Sequence, residues 1–314
     1  MAGILTPAHF FVKENRGTGK RNNMILMAPK FDTDCPIGYN SYKECKQQER
    51  EMVASKNSIL NSKTGKSVVV AFDHGIGGKI YSPNPRTLAE KFIAAQPDGV
   101  LMSPPLIHLC ADLFVKYPRV VPIATLVTLV RKPKFAGPTQ VFDFDFAVEM
   151  GARAIKNILV VGQTDGAGML ENMKNTAYLA QRARQKGIPF MVEAVAWGEQ
   201  VPPDKEAAPE YIGQACRMAL ECGADVIKTT YTGDPKSFKE VLANVPIPVI
   251  ILGGAAGELP AVFQGVRDAM DAGAAGVAFG RNVFQSENPT LMVNALKELV
   301  HNGATVQEAI AKMK

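Results

Sequence analysis

Lys228 lies in the run Gly223-Ala-Asp-Val-Ile-Lys-Thr-Thr-Tyr-Thr-Gly-Asp-Pro235, at the end of a short apolar segment. Burial there disfavours the charged form of the amine. A neutral amine adds to a carbonyl carbon to give a Schiff base. The bland alternative is a lysine that reaches water along its methylene stem or pairs with a carboxylate. Glu193, inside Pro189-Phe-Met-Val-Glu-Ala-Val, is such a carboxylate. Its pKa should rise in an apolar strand unless a cation stands near, and Lys228 on the next strand is the candidate cation. A purely structural ion pair is the competing account of these two. Asp73 and His74, after the apolar run Ser67–Phe72, can both move protons or bind polar substrate groups. Asp73 as a simple turn cap is the alternative.

Two glycine-bearing turns suit an anion. Gly253-Gly254 and Gly280-Arg281 each follow an apolar run. Glycines let backbone N–H groups approach an anion, and an arginine adds a bidentate donor. Each turn alone is a weak signal. Trp197, the one tryptophan, could wall a pocket or pack under a loop, and Tyr231 is a further candidate to hold substrate or move a proton. Three other patterns are set aside. Gly65-Lys66-Ser67 lacks the earlier glycine of a P-loop, with Leu60 standing there. The run from Gly162 to Gly168 lacks dinucleotide-fingerprint spacing. Lys156 sits near the N-terminal end of its strand, on the face expected to be structural.

These residues need a scaffold that brings strand ends together. Apolar strand candidates recur at 67–72, 98–102, 121–128, 154–161, 189–195, 224–229, 246–252 and 274–280. Segments 86–96, 144–151, 169–186, 209–222, 236–241 and 259–272 carry apolar residues at helical spacing between them. Gly151, Gly187, Gly223 and Gly273 stand where helix C-cap glycines precede a strand. Eight such units predict an α/β fold, a (β/α)8 TIM barrel over 58–314, with a doubly wound sheet as the runner-up. In a barrel, function gathers at the C-terminal ends of the strands, with phosphate often held after strands seven and eight. Residues 1–57 read as an N-terminal extension with one polar helix near 41–55.

The bulk properties are ordinary for a soluble globular protein. The chain has 314 residues, 46% of them hydrophobic and 21% charged, with net charge +5. That charge suits anionic metabolites and does not point to nucleic acid. No apolar run approaches a membrane span, and the first residues lack the pattern of a signal peptide. Five scattered cysteines imply reduced thiols and a cytosolic home. Cys35/Cys45 and Cys216/Cys222 lack metal-ligand spacing and read as packing thiols, so no metal is expected.

Phe72-Asp-His-Gly-Ile76, Asp225-Val-Ile-Lys-Thr-Thr-Tyr-Thr-Gly-Asp-Pro-Lys-Ser-Phe238, Gly253-Gly254, Gly280-Arg-Asn-Val-Phe-Gln285 and Glu287-Asn-Pro289 together resemble the archaeal-type class I aldolases. That group includes fructose-bisphosphate aldolase, 2-amino-3,7-dideoxy-threo-hept-6-ulosonate synthase and 3-hydroxy-5-phosphonooxypentane-2,4-dione thiolase. The likeness runs from about Ser58 to Ala295. It implies a TIM barrel, Lys228 as the Schiff-base lysine, and Asp73 as the strand-one aspartate of acid–base steps. It also implies Gly254, Gly280 and Arg281 at the phosphate, and homo-oligomers built as pentamer-based decamers. One position departs. The aldolases carry Tyr-Pro-Arg-Gly after strand five, with the tyrosine as acid/base; here Val195-Ala-Trp-Gly198 stands there. Glu193, two residues earlier on the same strand face, His74, Asp73 and Tyr231 are the candidates to replace it.

The expected activity is thus carbon–carbon bond making or breaking in a phosphorylated ketone or ketose through an imine on Lys228, without a cofactor. A thiolase-like acyl transfer, with coenzyme A as co-substrate, or a transaldolase reaction is the nearest rival. A non-catalytic phosphosugar-binding regulator, acting through residues 1–57, is a rival of another class.

Overall fold

The computed structural model describes residues 58–78, 84–130, 136–254 and 256–314. The expected polar helix near 41–55 and Cys35/Cys45 lie outside them. The eight candidate strands form a closed parallel barrel in the spatial order β1-β2-β3-β6-β7-β8-β9-β10. They are β1 (Ser67–Ala71), β2 (Gly99–Met102), β3 (Val121–Thr125), β6 (Ala154–Val160), β7 (Phe190–Val195), β8 (Val226–Thr229), β9 (Val249–Leu252) and β10 (Gly276–Phe279). Both strand faces are buried, inward against each other and outward against helices, which is why the runs are continuously apolar.

The structure trims several expected strands. The seventh begins at Val249 rather than 246, because Pro246 and Pro248 have no N–H to give to a ladder. The third ends at Thr125. The apolar residues that follow belong to β4 (Val127–Val130), which pairs antiparallel with β5 (Ala136–Gln140) in a hairpin outside the barrel. The sequence reading ran these two strands together, since only Leu126 separates them. It also missed two short helices, Pro104–Leu109 and Ala111–Lys116, between β2 and β3.

The barrel floor is filled by Ile59, Val69, Val121, Ala154, Met191, Val226 and Ile250, packed with Ala71, Leu101, Ile123 and Ala278. Strand side chains alternate faces. Two residues beyond Ala154, Met191 and Val226 the inward positions are therefore Lys156, Glu193 and Lys228. A polar layer thus lies directly on an apolar one. Helices Gly166–Lys186, Pro209–Glu221, Pro235–Ala243 and Leu259–Ala272 cover the outside. Gly187 and Gly273 end two of them in the left-handed conformation, at φ 64° and 108°, where a Cβ would be strained. Among the described residues, no helix is long and apolar enough to cross a membrane.

Candidate active site

Glu193 and Lys228 face each other across neighbouring strands in direct register. The Glu193 Oε1 to Lys228 Nζ distance is 2.7 Å. The second carboxylate oxygen, Oε2, lies 2.5 Å from Lys156 Nζ. Lys156 Nζ is also 3.4 Å from Asp73 Oδ2, and the Thr125 hydroxyl donates to that same oxygen at 2.7 Å. Two carboxylates and two amines therefore form one buried chain, Asp73–Lys156–Glu193–Lys228.

Lys156 corrects the sequence reading, which placed it on the structural face. Its backbone is level with Thr125 and Met191, one inward step below Glu193. That step is about 6.6 Å along a strand, and a lysine stem spans nearly that distance. The side chain therefore climbs into the layer above. A signal for this was present: a lysine within an unbroken apolar strand needs a partner, the argument already applied to Lys228.

Asp73 also departs from the turn-cap alternative. It precedes the single turn His74–Gly77, yet its side chain makes no capping bond there. It points to Thr125 and Lys156 instead. Burial alone would raise its pKa, but Lys156, Lys228, His74 and the Thr125 hydroxyl outweigh this and hold it well below the usual carboxylate range. Glu193 behaves likewise. Burial pushes it up, Lys156 and Lys228 pull it down harder, and Asp73 opposes them; the result is a lowered pKa. Burial would depress Lys156, but Glu193 and Asp73 raise it above the usual lysine value. Both carboxyls and Lys156 are therefore ionised at neutral pH.

His74 stands at the edge of this chain, Nδ1 4.0 Å from Asp73 Oδ1. Its ring packs edge-on to Phe284 at 5.3 Å. Burial lowers its pKa; Asp73 opposes that, and Lys228 and Arg281 add to it. The imidazole is thus neutral near pH 7. Gly280 lies directly against it: a Cβ there would stand 2.5 Å from His74 Cε1 and 2.6 Å from the Ala71 carbonyl oxygen. Only glycine allows the loops after β1 and β10 to approach this closely.

Arg281 opens the short helix Arg281–Phe284, and its buried Nε has no acceptor. Asn282 Oδ1 accepts from Gly257 N at 3.1 Å, tying the loop after β9 to the loop after β10. Gly253 packs on the Phe279 ring, and Gly254 is exposed beside it. The two anion-suited turns are therefore adjacent, near His74.

Tyr231 and Trp197 both pack against apolar neighbours. Tyr231 packs edge-on against Phe238 at 5.2 Å. Its pKa is pushed up to about 12 by burial, then by Asp268 and Asp234, groups on the helical side of the wall. Trp197 packs against the apolar layer outside the strands. Cys110 and Cys216 are buried free thiols, and Cys222 is a half-buried one.

Residues 67–286 match the DeoC/LacD family aldolase. The 2-amino-3,7-dideoxy-D-threo-hept-6-ulosonate synthase of Halobacterium salinarum is 40% identical over 166 residues, 53% of this chain and 60% of that protein. The 3-hydroxy-5-phosphonooxypentane-2,4-dione thiolase of Escherichia coli is 28% identical over 279 residues, 85% of this chain and 88% of that one. An archaeal fructose-1,6-bisphosphate aldolase, solved with its catalytic lysine covalently bound to the carbinolamine intermediate of the substrate, has a TM-score of 0.67. It is 28% identical and covers 79% of this chain and 99% of its own. Its fold and the residues matched over the whole barrel give one conclusion: the chain belongs to the DeoC/LacD aldolase family.

Proposed function

We propose that this protein is a Schiff-base aldolase that makes or cleaves a carbon–carbon bond in a phosphorylated ketone or ketose. The observation that carries the reading is the pairing of Lys228 Nζ with Glu193 at 2.7 Å, in a charged chain whose other end is Asp73. The Lys228 amine adds to the substrate carbonyl to give a carbinolamine, and loss of water leaves an iminium ion. In this scheme Glu193 takes the proton the attacking amine sheds and returns it to the departing hydroxyl. The iminium then accepts the electron pair of the breaking bond. Asp73, held ionised, accepts the proton of the substrate hydroxyl as that bond breaks. Glu193 with Lys156 thus stands in for the tyrosine that Val195 replaces. Arg281, with its unmatched Nε, and the turns at Gly253, Gly254 and Gly280 hold the phosphate, which fixes the carbonyl against Lys228. No cofactor enters this scheme. Cytosolic location, read from the scattered cysteines, and a homo-oligomeric assembly, implied by the resemblance, complete the proposal.

Borohydride trapping with dihydroxyacetone phosphate and larger phosphorylated ketoses, followed by peptide mass mapping, tests it. A reduced adduct is expected on the Lys228 peptide, and Lys228→Arg abolishes it. No adduct with any ketone, or an adduct on the Lys156 peptide, overturns the assignment.

A second reading is acyl transfer from a phosphorylated diketone to coenzyme A. It is favoured by Val195 at the tyrosine position and by similarity to the thiolase over 85% of this chain. Product that forms only when coenzyme A is supplied would establish it. Transaldolase chemistry, suggested by the similarity to the heptulosonate synthase, would need an acceptor aldehyde instead.

A further inference from the structure

The opposite, N-terminal end of the barrel carries a second cluster that the proposed chemistry does not use. His301 follows the closing helix Pro289–Lys297 and is nine-tenths buried, its side chain 10% exposed. Its Nε2 lies 2.8 Å from Asp98 Oδ2, and its Nδ1 is 2.9 Å from the Thr64 hydroxyl. Asp98 also accepts from the Val68 backbone N–H at 2.7 Å and from Asn61 Nδ2 at 3.3 Å. The imidazole is thus locked to the barrel floor. Beside it opens a cavity of about 470 Å³. A second, of about 160 Å³, shares Asn61, Lys297 and His301 with it and adds Arg119.

The walls of the larger cavity are strongly biased in charge. Lys63, Lys297 and Lys312 face it, against the single carboxylate of Glu298. Lys297 is held in place by its bond to the Ala95 carbonyl at 3.0 Å, while Glu298 lies 3.8 Å from Lys312. Asn61, Asn294 and Asn302 also line it, with Asn302 Nδ2 donating to Glu298 at 2.9 Å. Leu291 supplies an apolar patch. Its volume falls in the range of small-molecule sites, which are typically about 300–1,000 Å³. Amides and amines around a concave space recognise a multiply charged anion that carries a polar body. The site lies across the apolar floor from Lys228, so its ligand is not the one that reacts.

We propose that this cavity at the N-terminal face binds a small phosphorylated molecule, separately from the substrate. Inorganic pyrophosphate is the probe. Calorimetric titration of the full chain is combined with lysine acylation footprinting read by mass spectrometry. Pyrophosphate is expected to protect Lys63, Lys297 and Lys312, in the unmodified chain and equally in Arg281→Gln, which disables the proposed substrate phosphate site. Lys63→Gln with Lys312→Gln, both at exposed positions, should weaken this binding by about tenfold or more, the effect of losing about 1.4 kcal/mol. Trapping on Lys228 should persist in that variant. The proposal is overturned if these lysines stay reactive, if sodium chloride at matched ionic strength protects them equally, or if the double variant binds unchanged.

Discussion

Glu193 shares its two oxygens between two lysines, and this decides what the carboxylate can do. An isolated buried carboxyl would be neutral and could only donate. Paired with Lys156 and Lys228 it is held ionised, so it starts as an acceptor. Glu193→Gln keeps the shape and removes that capacity. Turnover should fall by about 10² or more, the usual contribution of a positioned proton-transfer group. The final yield of borohydride adduct should fall less, since imine formation given time does not need a fast shuttle. Unchanged turnover removes Glu193 from the role. Much of this was legible in the sequence, because Lys228, Glu193 and Asp73 each follow or interrupt an apolar run. Lys156 was not. Position along a strand reports where a Cα sits, whereas a lysine's charge lies a full stem away from it. Tyr231 stands after β8, and its ring packs edge-on against Phe238, an orientation that strand position alone does not report.

At the scale of elements, eight strands were legible because continuous Val, Ile and Leu runs between helical segments have few other readings. The β4–β5 hairpin was not legible, because Val127–Val130 prolongs the apolar run of β3 and nothing local marks the break at Leu126. The close approach of the loops after β1 and β10 was hidden too. Gly280 looked like one half of an anion-binding turn, while the structure gives it a steric duty against His74 and the Ala71 carbonyl. Gly280→Ala tests that duty. Its methyl cannot fit at 2.6 Å from a carbonyl oxygen, so one loop must shift. A destabilisation of about 1–3 kcal/mol is expected, the usual cost of overpacking. His74 and Arg281 should move together, so the Michaelis constant for a phosphorylated substrate should rise along with the loss in turnover. Wild-type melting and wild-type kinetics in this variant would show that the loops do not touch as described.

For the molecule as a whole, the charged chain couples the site to stability, and the direction follows from the shifts. Asp73 and Glu193 have lower pKa values folded than unfolded, where about 3.8 and 4.5 apply. The unfolded chain therefore binds more protons in acid. Their stabilisation is complete above about pH 5 and is lost as pH falls through the folded values. Lys156 has a raised pKa when folded, against about 10.5 unfolded. Its contribution is complete below that value and is lost as pH rises beyond it. Stability should therefore hold a plateau between the two limits and decline on both sides, each group adding at most about 1.4 kcal/mol per pH unit. Lys156→Met is the discriminating variant. It leaves two buried carboxylates short of a cation, which should cost about 3–5 kcal/mol at neutral pH. With the cation gone, Asp73 and Glu193 titrate nearer their ordinary values or above them. The loss should then shrink on acidification, and the wild-type and variant melting curves should converge towards pH 4. Chemical denaturation at several pH values measures this directly. Parallel profiles, offset by a constant, would mean that Lys156 supports the barrel by packing alone.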